Sequence, residues 1–114
     1  MGNFFRNLFA AFRGIDGFGQ SRSPKWRSVR DAHVARQPAC QACGRSRDVD
    51  VHHIIPFHQR PDLELEPTNL ITLCSSPCHL VHGHFMSWNR WNPTVVSDCE
   101  RYRIKLLAAK GSSR

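Results

Sequence analysis

Cys40-Gln-Ala-Cys43, His52-His53, Asn69 and Cys74-Ser-Ser-Pro-Cys78-His79 fall within forty consecutive residues of a 114-residue chain. Two cysteine pairs at metal-ligand spacing supply four soft thiolates, enough to close a tetrahedral zinc site with no position left for chemistry. The histidines suit a different task. Adjacent residues on a strand send their side chains in different directions, so one of His52 and His53 can hold a metal while the other takes a proton from water. His79, directly after the last cysteine, can complete that metal site. A divalent ion held by few protein ligands keeps positions open for a phosphate oxygen and a leaving oxygen. An imidazole that is neutral near pH 7 is a suitable general base.

The elements that must position these groups are legible around them. Ser23-Pro24 reads as a helix start, and the helix should run to about Gln37, where Pro38 forbids its continuation. Gly44 permits the tight turn of the first knuckle. Val49 to Ile55 alternates and is rich in branched residues, predicting a strand that ends at Pro56. Residues 57–68 form a proline-containing loop of mixed charge. Asn69 to Leu73 makes a second short strand running into Cys74. The segment after Cys78 should be helical, interrupted near Gly83, and Asn92-Pro93 opens a last helix to about Lys110. Cys99 has no knuckle partner and fits a buried free thiol.

Length sets one small domain. A domain of this size can bury only a limited core, so a bound metal would supply stability that the core lacks. Five cysteines could also signal disulfides. The odd count, the knuckle spacing and the absence of a secretory signal favour zinc in a reducing, cytoplasmic setting. Lys and Arg number 16 against 9 Asp and Glu, a formal charge of +7 that favours a polyanionic partner. No apolar stretch reaches the length of a membrane span. Phe5, Leu8, Phe9 and Phe12 form an apolar helical stripe suited to packing, self-association or a protein partner, and a glycine-rich linker follows. The chain therefore divides into residues 1–22, an apolar N-terminal helix and linker, and residues 23–114, the metal-binding domain with its C-terminal helix.

Val51-His52-His53-Ile-Ile-Pro, then Asn69-Leu-Ile-Thr-Leu-Cys74, then Cys78-His79, resemble the HNH endonuclease family across about residues 23–92. The resemblance implies an α+β fold with a ββα-metal (His-Me finger) core, treble-clef-like zinc knuckles formed by Cys40, Cys43, Cys74 and Cys78, and flanking helices. It implies His52 as a ligand of a catalytic divalent metal (Mg²⁺, Mn²⁺, Ni²⁺ or Zn²⁺) and His53 as the general base. Asn69 would brace the loop between the strands and so orient the base, and His79 would be the final metal ligand. The expected activity is metal-dependent hydrolysis of phosphodiester bonds in double-stranded DNA. Two departures stand out. The second knuckle holds one extra residue, and Gly83 occupies the place where many members carry a further histidine. On an ordinary helix His82, at i+3, stays near the face of His79 and is the expected third ligand, whereas His84 regains its claim if Gly83 breaks the helix. The alternative function is a non-catalytic, zinc-stabilised nucleic-acid-binding module. Such a module needs the cysteines but has no use for His52, His53, Asn69 and His79 together.

Overall fold

The computed structural model describes residues 21–112, so the expected apolar helix and most of the glycine-rich linker lie outside the described residues. The first described helix, α1 (Trp26–Arg36), begins two residues later than Ser23-Pro24 suggests. Ser23 Oγ accepts a hydrogen bond from the Lys25 N–H at 3.1 Å, which makes the serine part of a turn ahead of the helix. The helix stops at Arg36 because the residue before Pro38 is pushed out of the helical region. Gln37 then ties the helix end to the sheet: its side-chain oxygen accepts from the Thr72 N–H at 2.8 Å, and its carbonyl accepts from Thr72 Oγ1 at 2.6 Å.

Strand β1 (Val49–His53) pairs antiparallel with β2 (Leu70–Cys74), in a register that sets Val49 opposite Cys74 and His53 opposite Leu70. Pairing stops at His53, short of the expected Ile55, because Asn69 intervenes. The Ile54 N–H donates to the Asn69 carbonyl at 2.8 Å, and the Ile55 N–H donates to Asn69 Oδ1 at 2.9 Å. The loop that follows contains two short 3₁₀ turns, Pro61–Leu63 and Pro67–Asn69. Every residue of β2 is buried, since α1 and the segment after Cys78 both pack on this two-stranded sheet.

The segment His79–Gly83 is a π-helical turn, in which hydrogen bonds span five residues rather than four. Asn92 connects it to the last helix, α2 (Val95–Ser112). The Asn92 side chain accepts from the Thr94 N–H at 3.0 Å, as expected of a cap, and donates to the His82 carbonyl at 2.9 Å. Helix α2 returns to the first knuckle, where Arg103 donates to the Cys40 carbonyl at 3.3 Å. Gly44 has φ +87°, the left-handed turn expected of it, and a Cβ there would lie 3.1 Å from Arg103 Nη1. The core cluster comprises Cys40, Ala42, Ile71, Leu73, Cys74, Cys78, Val95 and Cys99. Three of the four knuckle cysteines belong to it, so the candidate zinc ligands and the core largely coincide. The architecture is a small α+β fold with an antiparallel pair of strands followed by a helical turn, in keeping with the ββα-metal class.

Candidate metal centres and active site

The four cysteines converge where the knuckle turn, the end of β2 and the following turn meet, with their ligand atoms all within 4.8 Å of one another. Cys43 Sγ and Cys74 Sγ are 3.8 Å apart. Four sulfurs each about 2.3 Å from one zinc at tetrahedral angles would stand about 3.8 Å apart. The Cys43 N–H points at Cys40 Sγ and the Cys78 N–H at Cys74 Sγ, both at 3.4 Å, which favours charge on sulfur. Burial pushes the Cys40 thiol up, but backbone hydrogen bonds, that of Cys43 foremost, outweigh it and bring the group to about 7. Burial drives Cys78 the other way. None of the five cysteines is in a disulfide, and Cys99 is buried as a free thiol.

A second cluster forms from His52, His79 and His84, again with ligand atoms within 4.8 Å of one another. His52 is buried, and its Nε2 has no hydrogen-bond partner among the described residues, an arrangement that costs free energy unless something else engages the ring. Burial foremost, then the neighbouring histidines, holds its pKa down at about 3, so the ring is neutral at pH 7. His79 Nδ1 donates to Asp50 Oδ2 at 2.9 Å, so that Nε2, 3.1 Å from His52 Nδ1, is the nitrogen this ring can offer as a ligand. His84 Nδ1 donates to the Arg90 carbonyl at 2.6 Å, which frees its Nε2 in the same way. The His79–Asp50 pair is the carboxylate–histidine arrangement that commonly backs metal-binding imidazoles. An orphaned buried nitrogen beside two tautomer-locked rings fits a divalent ion.

The expectation that His82 shares the face of His79 is corrected by this geometry. It assumed 3.6 residues per turn, whereas the π turn is wider, and His84, the residue that caps its end, joins His79 in the cluster. His82 instead packs on the Tyr102 ring with centroids 4.8 Å apart. Gly83 does more than interrupt a helix. A Cβ there would lie 3.0 Å from His52 Cε1, so any side chain at this position would press on the buried ring. Asp50 was missed from sequence, although the period-2 rule places it on the same face of β1 as His52.

His53 is oriented separately. Its Nε2 donates to the Glu64 carbonyl at 2.9 Å, leaving Nδ1 as the proton-accepting nitrogen, and its ring lies 4.6 Å from that of Trp26. Burial foremost lowers its pKa, which favours the neutral base. The Asn69 amide donates to the carbonyls of Ile55 and Leu63 at 3.1 and 3.3 Å, linking the start and end of the loop that delivers the Glu64 carbonyl. The buried Glu64 side chain in turn accepts from the Ser23 N–H at 3.0 Å and lies 3.7 Å from Arg22. His52, His53, His79 and His84 line one cleft of about 490 Å³ together with Arg22, Phe57, Trp88 and Arg90.

The family model described as HNH endonuclease matches residues 40–85, from the first knuckle through the π turn and the third histidine. No curated protein and no solved structure matches.

Proposed function

We propose, from the match of the HNH endonuclease family model to residues 40–85, that the protein is a metal-dependent DNA endonuclease. The observation that supports this reading best is the pairing, in one cleft, of a three-histidine cluster with a separately held His53 whose Nδ1 is free to accept a proton. His52, His79 and His84 would hold the catalytic metal, and Cys40, Cys43, Cys74 and Cys78 a structural zinc. The catalytic ion, when bound, supplies charge stabilisation at the phosphate and at the departing oxygen. His53 Nδ1 takes the proton of the attacking water, while its Nε2–H stays on the Glu64 carbonyl and keeps the ring aimed. Asn69 positions that carbonyl through the loop it clamps. The excess of basic side chains draws in double-stranded DNA by its phosphates.

A plasmid-cleavage assay with Mg²⁺, Mn²⁺ or Ni²⁺ added tests this reading. His53→Ala should lower the rate by roughly 10² to 10⁴-fold with zinc content and DNA affinity kept, since a base acts in the transition state. His79→Ala should also lose cleavage but recover part of it at higher metal concentration. A His53→Ala protein that cleaves like the parent would leave the non-catalytic zinc-stabilised binding module as the better account.

A further inference from the structure

The loop between the π turn and α2 carries features that neither metal site requires. Phe85 and Met86 both have positive φ, 51° and 69°, a conformation that costs non-glycine residues energy and that surrounding contacts must impose. Arg90 imposes it in part: its guanidinium donates to the Phe85 carbonyl and lies over the Phe85 ring, 5.7 Å from the centroid. Trp88 results as a fixed, exposed plate at the mouth of the cleft. It is 59% exposed, yet its ring packs 5.1 Å from that of His79 and 4.8 Å from that of His84. Elsewhere in the cleft lining, Arg22 lies over the Phe57 ring at 4.3 Å. Among the described residues that line the cleft none is a carboxylate and the charged side chains are Arg22 and Arg90, with Glu64 3.7 Å from Arg22.

Aromatic faces beside arginines are the chemistry that receives a nucleobase next to its phosphate. A paired base inside a duplex presents only its edge, which side chains read by hydrogen bonds in the grooves. An unpaired base presents its π-face. We propose that Trp88 is a stacking platform that selects an unpaired nucleotide at this cleft, so that the protein favours single-stranded, gapped or bulged DNA over a continuous duplex. The inference rests on the nucleic-acid reading above but not on the hydrolytic step. Stacking is tolerant of base identity, so the preference is for structure rather than sequence.

The test is fluorescence-anisotropy binding of the zinc-loaded protein with no further divalent ion added, on a single strand, a fully paired duplex and a duplex with a one-nucleotide gap. The parent should bind the single strand and the gapped duplex more tightly than the paired one. Trp88→Leu keeps apolar bulk but loses the π-face, and should weaken binding to the first two by roughly 5- to 150-fold while changing the paired duplex far less. Trp88→Phe should retain most of the preference. Equal affinity of the parent for all three DNAs, or Leu and Phe variants that bind alike, would overturn the proposal. Intact binding preference in a protein that fails to cleave would instead count against the endonuclease reading and leave the stacking platform standing.

Discussion

His52, His79 and His84 owe their fitness as ligands to the atoms behind them. Asp50 and the Arg90 carbonyl each hold one imidazole proton, so His79 and His84 can offer their other ring nitrogens as ligands. On the proposed assignment, Asp50→Ala should weaken Mn²⁺ or Co²⁺ binding by roughly 10- to 100-fold by titration calorimetry. His84→Ala should cost at least as much, and His82→Ala should leave the affinity unchanged. Burial of His52 also predicts a response to acid. The unfolded chain protonates this residue near 6.5 but the folded protein only at about 3, so below pH 6.5 the unfolded state binds more protons. Its contribution is intact above about 6.5 and is lost on acidification, at up to ~1.4 kcal/mol per pH unit until about pH 3. Urea unfolding at pH 7.5 and pH 5 should therefore show a steeper loss in the parent than in His52→Gln, both loaded with zinc and without added divalent ion.

At the scale of elements, the π turn His79–Gly83 is what decides the histidine cluster. Its wide turn brings His84 round to His79, and glycine as its last residue lets the His52 ring pack close. The intruding atom at position 83 would meet a buried ring in a packed site rather than the end of a flexible side chain. Gly83→Ala should destabilise the protein by about 1–3 kcal/mol and weaken the histidine-site metal, with zinc content unchanged. Thermal unfolding and metal titration of that one variant check both effects, and a variant with normal metal affinity would mean the sheet and the turn can separate cheaply. The α1 end and the 3₁₀ turns play the matching part for His53. Trp26 covers its ring, and the turn before Glu64 delivers the carbonyl that orients it.

For the molecule as a whole, the four-cysteine site substitutes for a large core. The buried apolar cluster is small, three of its members are zinc-ligand candidates, and α2 reaches it through Val95, Cys99 and Arg103. Cys74→Ser should lose bound zinc and the cooperative unfolding transition together, because metal binding and folding are coupled in domains of this kind. Metal analysis with far-UV circular dichroism under reducing conditions measures both, and a zinc-free protein with parental structure would contradict it. No helix among the described residues is long and apolar enough to cross a membrane, and the net charge of +7 suits a polyanion.

Cysteine spacing, the His52-His53 pair, the branched residues around them and the prolines together determined the two knuckles, the presence of two strands and the end of α1. These are local signals: a ligand pair, an alternation or a helix stop is written in consecutive residues. Even the place of Asp50 beside His52 follows from strand periodicity. The identity of the third histidine did not, because the choice between His82 and His84 turns on whether the backbone after Cys78 winds as an α or a π turn. That choice is set by packing against the sheet and by the Asn92 and Arg90 bonds to the turn and loop, contacts from residues further along the chain. The hold on His53 by Glu64, eleven residues away, and the placing of Trp88 against the histidines likewise came only with the tertiary structure. Residue types announce what chemistry is available, but the tautomer of an imidazole and the exposure of a ring depend on neighbours that only the folded chain brings near.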